Sequence, residues 1–186
     1  SCKSSAITAM LKEAAAMLAI DPEQLDSHPH LFNCDNCTLN LETGRLQPHN
    51  KNDFITKITP VCFDSEAEAP IFESVLNKCI GNAQVIEFVQ KFIGYCLSGS
   101  TKEQVVVIFW GGGANGKTTI VTPIMDALGD YAATTRPETF MTKSGNYINS
   151  DVAKLKGIRL AMASESEDGQ RMAEAAIKSM TGGEKI

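Results

Sequence analysis

The chain has 186 residues, a formal net charge of −5 and a pI of about 5.2. Hydrophobic residues make up 43% of it and charged residues 21%, which is the composition of a globular protein rather than a disordered one. The acidic balance excludes a protein that coats nucleic acid with its whole surface, although a local patch or a ring of subunits could still contact it. No apolar run reaches membrane-spanning length and no secretion signal opens the chain, so we expect a cytoplasmic protein without a membrane partner.

Residues 1–100 predict a small, mainly helical domain with a short β element. Apolar residues recur at helical spacing from Ile7 to Leu18, which predicts an amphipathic packing helix. Residues 31–63 alternate and contain turn signals, which predict short strands. A second helix is predicted between Pro70 and Gly81. A third follows that is apolar nearly all round and is therefore expected to be well buried.

Six cysteines raise the question of a metal or redox site. Cys34 and Cys37 form a single C-x-x-C without a matching second pair. Three histidines lie nearby in the sequence, so a zinc site is conceivable, but no tetrahedral set has a familiar spacing. A redox C-x-x-C would open a helix after a strand, whereas this one lies in a turn-rich segment. Reduced structural or surface thiols are the favoured interpretation.

A linker at Ser98–Thr101 separates this part from a second predicted domain, residues 101–186. There the sequence GGGANGKTT, Gly111–Thr119, fits the pattern G-x-x-x-x-G-K-[ST]. Glycines let successive N–H groups point at phosphate oxygens, the lysine reaches the β and γ phosphates, and the threonine hydroxyl ligates Mg²⁺. Val105–Trp110 predicts a strand buried on both faces before the loop, and residues 120–128 predict a helix after it.

The sequence therefore predicts ATP and Mg²⁺ as ligands of this loop. The predicted nucleotide-binding residues are Gly111, Gly112, Gly113, Ala114, Asn115, Gly116, Lys117, Thr118 and Thr119. The first, third and sixth of them also satisfy the dinucleotide pattern G-x-G-x-x-G. We favour phosphate binding, because the Lys-Thr extension is not needed there and no clear second βα unit carries a suitably spaced acidic residue. A glycine-rich turn with no ligand is the other alternative.

An acidic partner is predicted further along the chain, after a polar and irregular stretch over residues 131–150. Ile158–Ala163 predicts a second buried strand, and Glu165 follows it directly. Because ligands of open α/β sheets bind at the carboxyl ends of strands, Glu165 is expected to hold Mg²⁺ with Thr118 and to polarise the attacking water. Glu167 is a reserve candidate, since alternate residues can share a direction. The alternative is that both glutamates are solvated loop residues.

These motifs together resemble a known family. The stretches that carry the resemblance are residues 39–44, 89–95, 111–119, 155–160, 163–167 and 176–183. The second domain resembles the superfamily-three helicases of phage and plasmid primase–helicases, and the first resembles the domain that precedes the motor, shared with poxvirus-type primase–helicases. The resemblance implies an α/β fold, with an incomplete, AAA+-like parallel sheet of a P-loop NTPase behind the small N-terminal domain.

The resemblance also implies an activity. It implies an ATP hydrolase and DNA helicase that acts in replication as a homo-hexamer on single-stranded or forked DNA, with a primase domain or protein as a further partner. A phage origin would place it in the cytoplasm of a bacterial host. Lys117, Glu165 and Glu167 are then the catalytic residues, and Asn115 lies next to the γ phosphate. Two alternatives stay open: an ATP-binding initiator or loader without unwinding activity, and another P-loop phosphotransferase such as a small-molecule kinase.

The family pattern also concerns the end of the chain. Lys178 to Gly183 matches the motif that leads into a DNA-contacting hairpin, and Glu184 stands where the family commonly has Asp. The family continues past the position of Ile186 into that hairpin, a sensor strand and an arginine supplied to the neighbouring subunit. We therefore expect this stretch alone, truncated relative to the family, to bind ATP but to hydrolyse it poorly.

Overall fold

The computed structural model describes residues 4–141, 154–164 and 172–182. The described residues form two small sheets and five α-helices, joined by short 3-10 turns. These turns are Pro22–Gln24, Lys51–Asp53, Gly129–Tyr131 and Pro137–Thr139. Within this part of the chain, every helix is too short or too polar to cross a lipid bilayer.

The first sheet has three antiparallel strands in chain order. They are β1 Leu31–Asn33, β2 Thr38–Asn40 and β3 Arg45–Gln47. The side chain of Asn40 accepts hydrogen bonds from the backbone N–H groups of Glu42 and Thr43, which closes the turn between β2 and β3. Gly44 completes that turn at φ +68°. The predicted short β element is confirmed.

Two helices follow the β element. They are α2, Pro70–Ile80, and α3, Ala83–Cys96. Gly81 ends α2 in the left-handed region at φ +66°, and the side chain of Asn82 caps the start of α3, so both predicted helices are confirmed. However, α3 buries only Val89 and Cys96, and Phe88 is 55% exposed. The prediction that α3 is well buried is therefore wrong, because only one of its faces packs on the described residues.

The first helix, α1 Ser4–Met17, is predicted correctly as a helix but not in its packing. None of its residues is buried, and the apolar side chains of Met10 and Leu11 are 62% and 60% exposed. The described residues place no apolar surface over this stripe. The periodicity of the stripe predicts an amphipathic helix, but it does not identify the surface against which the helix packs.

The second sheet contains two parallel strands, β4 Ala132–Thr135 and β5 Leu160–Ala163. β5 lies within the predicted strand, whereas β4 lies in a stretch for which irregular structure is predicted. The Ala-Ala-Thr-Thr sequence of β4 has no alternating pattern that would distinguish it from a loop. The mixed α/β class is thus confirmed, while the AAA+-like P-loop NTPase fold stays a prediction. The last described helix is α5, Glu174–Thr181.

The segment before the glycine-rich loop differs most from the prediction. Val105–Trp110 forms no strand, and only Val107 and Phe109 in it are half-buried, while the other four apolar side chains are exposed, from 47% for Val105 to 92% for Trp110. A buried parallel strand needs hydrogen-bonded neighbours, but β4 and β5 pair with each other in the described structure. The prediction of a strand buried on both faces is therefore wrong here. The helix after the loop, α4 Lys117–Leu128, is confirmed.

The half-buried side chain of Arg159 packs against two aromatic residues of the core. Its guanidinium carbon lies 5.6 Å from the ring centroid of Phe32 and 4.4 Å from that of Tyr131. The guanidinium also donates hydrogen bonds to the backbone carbonyl oxygens of Leu31, at 2.6 Å, and Leu97. Burial lowers the pKa of Arg159 from its usual value, yet an arginine stays protonated at neutral pH. The cation is thus stabilised against the core by two aromatic faces and two carbonyl groups.

A second set of contacts holds the C-terminal end of α4. The hydroxyl of Thr59, which is 1% exposed, donates to the carbonyl oxygen of Ala127 at 2.5 Å. The backbone N–H of Asp130 donates to the carbonyl oxygen of Ile58 at 3.1 Å, and the N–H of Ile58 donates to the Asp130 carboxylate at 3.3 Å. These hydrogen bonds cross the domain boundary predicted near residue 100, so the two predicted parts pack directly on each other.

The C-x-x-C segment contains two buried free thiols. The backbone N–H of Cys34 donates to the carbonyl oxygen of Cys37 at 2.8 Å. Burial, followed by the neighbouring thiol of Cys37, raises the pKa of Cys34 to about 11, and burial raises the pKa of Cys96 to about 11. Among the residues that the structure describes, no group of three or more His, Cys, Asp or Glu side chains is arranged to hold a metal ion.

The substitution Arg159→Met is expected to lower the free energy of unfolding by about 2 to 4 kcal/mol. It removes the cation from two aromatic faces and leaves two inward-facing carbonyl groups without their donor. Urea unfolding followed by circular dichroism measures the change. Arg136→Met is the matched control, because Arg136 is exposed and a surface substitution changes stability by about 0.5 kcal/mol or less. Equal losses in the two variants would contradict the role of Arg159.

The cysteines are expected to react with iodoacetamide at different rates in the folded protein. Since the thiolate is the reactive form, the buried Cys34 and Cys96 should react slowly at about pH 8, and the exposed Cys79 should react faster than either of them. Peptide mapping by mass spectrometry measures each rate, with protein in urea as the control in which the rates converge. Rapid labelling of Cys34 in the folded protein would show that this thiol is neither buried nor hard to ionise.

Candidate nucleotide-binding site

The glycine-rich loop turns directly into the first turn of α4. Ala114 and Gly116 adopt left-handed backbone conformations, with φ of +57° and +83°, and α4 begins at Lys117. Gly116 occupies the cap position, so the start of α4 has no side-chain cap hydrogen bond. The first N–H groups of a helix have no partner within the helix, and they carry its positive dipole. The loop and helix therefore present backbone donors suited to an anion.

The loop glycines have two different environments. A Cβ atom on Gly111 would overlap the side-chain amide of Asn115, which folds back over the start of the loop. Gly112 and Gly113, in contrast, have no protein atom within 4 Å of the position that a Cβ would take. Packing against the protein therefore does not require glycine at these two positions. The space beside them is open to a ligand that approaches the backbone closely.

Lys117 spans the loop. Its half-buried side chain donates from Nζ to the carbonyl oxygen of Gly111 at 3.0 Å. This bond holds the ammonium group on the loop and not in bulk solvent. Thr118 and Thr119, next in the first turn of α4, are exposed. The donor set of backbone N–H groups, one ammonium and threonine hydroxyls is chemically suited to a polyphosphate and to a hard, oxygen-preferring cation such as Mg²⁺.

The two predicted acidic residues are not among the residues that the structure describes. Glu165 and Glu167 lie outside the described residues, so their roles stay predictions. β5 ends at Ala163, two residues before Glu165, but its hydrogen-bonded neighbour is β4 and not a strand leading into the loop. Lys178 is described and lies exposed on α5. The last residue of its predicted motif, Gly183, lies outside the described residues.

One neighbour of the loop is not predicted from the sequence. The side chain of Cys79, near the end of α2, lies against Gly116, so a Cβ atom on that glycine would overlap the thiol. The helical spacing of α2 assigns Cys79 to its apolar face. Nothing in the pattern indicates that this face meets the loop, since the two residues are far apart in the chain.

Comparison with known proteins adds an independent finding. Residues 1–81 match the family described as "D5 N terminal like". The chain is 26% identical over 186 residues to a "Putative helicase" of Acanthamoeba polyphaga mimivirus, covering 95% of this chain and 19% of that protein. It is 25% identical over 167 residues to a "Putative primase" of African swine fever virus, covering 85% of this chain and 17% of that protein. The chain therefore spans less than a fifth of the length of these relatives.

The family match lies in the part of the chain for which the sequence predicts a poxvirus-type, primase-associated domain. It extends from residue 1 to the residue that ends α2, and it therefore contains α1, the three-stranded sheet and α2. The two relatives extend the similarity through the glycine-rich loop. Together these matches confirm the predicted resemblance to primase–helicases that carry a D5 N-terminal-like domain.

Proposed function

We propose that this chain binds ATP with Mg²⁺ at residues 111–119 and forms the nucleotide-binding part of a DNA helicase motor in a replication primase–helicase. The observation that carries the proposal is the loop itself. An open glycine backbone leads into an uncapped helix start, and the ammonium of Lys117 is already held across the loop. The names of the two relatives support a place in DNA replication, although each describes a protein at least five times longer than this chain.

Each loop residue has a defined task in this proposal. The N–H groups of the loop and of the first turn of α4 bind phosphate oxygens, and Lys117 exchanges the carbonyl of Gly111 for the β and γ phosphates. Thr118 would hold Mg²⁺ through its hydroxyl, and Glu165 would complete the ligand set. Mg²⁺, when bound, neutralises the charge that develops on the transferred phosphoryl group. Asn115, whose side chain lies beside Gly111, would contact the γ phosphate.

The wider activity is part of the same proposal. A homo-hexameric ring on single-stranded or forked DNA, with a primase domain or protein beside it, would couple hydrolysis to unwinding. The net charge of −5 means that DNA contact is expected from a local surface inside such a ring and not from the whole exterior. We place this activity in the cytoplasm, which would be that of a bacterial host if the chain is phage-encoded. A phage or plasmid source stays a prediction, since the two relatives described above come from Acanthamoeba polyphaga mimivirus and African swine fever virus.

Lys117→Ala is expected to weaken ATP binding by about tenfold to a hundredfold or more, because it removes a hydrogen-bonded positive charge from the phosphates. Trp110 is the only tryptophan in the chain, is 92% exposed and precedes Gly111, so its fluorescence can report binding directly. Titration with ATP and Mg²⁺ measures the affinity. Lys91→Ala, on an exposed ion pair of α3, is the control with the same charge change. Equal affinity in the two variants would remove Lys117 from the site.

Glu165→Gln is expected to keep ATP affinity and to lower hydrolysis about a hundredfold or more, because an amide cannot polarise the attacking water as a carboxylate does. The measurement is steady-state phosphate release by the native-length protein, beside the fluorescence titration. Glu167→Gln is the matched variant and separates the two candidates. Normal turnover in Glu165→Gln with loss in Glu167→Gln would transfer the role to Glu167, and normal turnover in both would exclude this segment from the chemistry.

A further inference from the structure

Helix α2 packs against the start of α4, and one of its faces carries the contact. Leu76 in α2 is 1% exposed and belongs to the same buried cluster as Ile120 and Ile124 of α4. Cys79 follows Leu76 by three residues, so the two side chains share one face of α2. That face is therefore directed towards α4, with Cys79 nearest the end of α2.

At this end the thiol meets the glycine that begins α4. A Cβ atom on Gly116 would overlap Sγ of Cys79 and would lie 3.2 Å from its Cβ. Gly116 is also held at φ +83°, a conformation that side chains rarely adopt. Two separate constraints thus fix this residue: the backbone turn that forms the loop, and a small side chain that packs from α2.

We infer that α2 positions the phosphate-binding loop, with Cys79 as the positioning residue. The inference rests on the proposed ATP binding at residues 111–119. The N–H groups of Gly116 and of the residues after it would form the anion cradle, and the strength of a hydrogen bond falls steeply as its geometry departs from ideal. Cys79 is exposed on its other side, but a side chain larger than cysteine that kept the same direction would displace Gly116 and with it these donors. Cys79 itself touches neither phosphate nor metal in this account.

The inference gives the N-terminal part of the chain a role in the site. α2 ends at Ile80, and the match to the D5 N-terminal-like family extends to residue 81. The wall that supports Gly116 therefore comes from the matched segment, whereas the loop follows it in the chain. A displacement of α2 would therefore move Gly116 and the phosphate-binding N–H groups, although the loop sequence is unchanged.

The first test varies the size of the side chain at position 79. Cys79→Leu is expected to weaken ATP binding about tenfold to a hundredfold, equivalent to the loss of one hydrogen bond to a charged group. Cys79→Ser conserves size and is expected to bind ATP as the unchanged protein does. Ser74→Leu is the matched control, because it adds a leucine at an exposed position on another face of the same helix. Trp110 fluorescence measures affinity, and thermal unfolding shows that each variant is folded.

A double-mutant cycle tests the contact itself and does not depend on the folding of Cys79→Leu. Gly116→Ala should weaken ATP binding strongly when Cys79 is present, because its methyl group overlaps Sγ. It should weaken binding less in combination with Cys79→Ala, since the overlap is then relieved while the strain at φ +83° remains. Losses that simply add in the double variant would overturn the positioning role.

The outcomes separate this inference from the proposal on which it rests. Failure of the unchanged protein to bind ATP would overturn both. Binding that is lost in Lys117→Ala but normal in Cys79→Leu would leave the nucleotide site in place and would overturn only the role of α2. Weak binding in Cys79→Leu and in Ser74→Leu alike would show a general effect of α2 stability, and it would also count against a specific contact at Gly116.

Discussion

The described structure depends on one half-buried positive charge, the guanidinium of Arg159. Arg159 lies between the end of α3, the first strand of the N-terminal sheet and the turn after α4, and it bonds or stacks with a residue from each. Phe32 and Tyr131 stack with their ring centroids 4.5 Å apart beside it. The phenol of Tyr131 accepts the backbone N–H of Asn33, and its own hydroxyl proton goes to the carbonyl of Lys57. An arginine suits this position because a planar cation can serve aromatic faces and several carbonyl acceptors at once.

Helix α4 is held at both of its ends by residues of the N-terminal part. Residues 58–60 contact the C-terminal end through Ala127, Gly129 and Asp130, while Cys79 contacts the N-terminal end at Gly116. Both sets of contacts come from the segment that matches the D5 N-terminal-like family. The glycine-rich loop therefore receives its support from the N-terminal part and not from a strand directly before it. If the loop binds ATP, a movement of the N-terminal part would be transmitted to the loop through α4, and a movement of the loop would be transmitted to the N-terminal part.

Local signals account for the features that the sequence predicted correctly. Proline, glycine and asparagine at the ends of α2 and α3, and the turn residues near Gly44, act within a few residues and mark real boundaries. The helix after the glycine-rich loop was also predicted correctly, because its start is marked by the loop residues directly before it. Features that depend on distant partners were predicted poorly. Val105–Trp110 has the composition of a buried strand, but a strand also needs neighbours, and the described residues supply none.

The same limit explains what the sequence could not indicate about the site. Arg159 lies in a stretch that carries the family resemblance, yet its partners are about 130, 60 and 30 residues away along the chain. Cys79 and Gly116 are likewise joined only by the packing of two helices. Composition and periodicity describe which residues seek burial, but they do not identify the surface that each one meets. A motif therefore predicts the ligand of a loop more readily than the elements that hold the loop in place.

The most direct test of the account is ATP hydrolysis by the native-length protein, measured with and without single-stranded DNA, beside Lys117→Ala. We expect single-stranded DNA to increase hydrolysis, and we expect Lys117→Ala to abolish hydrolysis with and without DNA. Hydrolysis that is unaffected by DNA, or that persists in Lys117→Ala, would contradict a motor that uses residues 111–119. ATP binding with little turnover and no response to DNA would instead favour an initiator or loader, and turnover that depends on a small phosphate acceptor would favour a kinase.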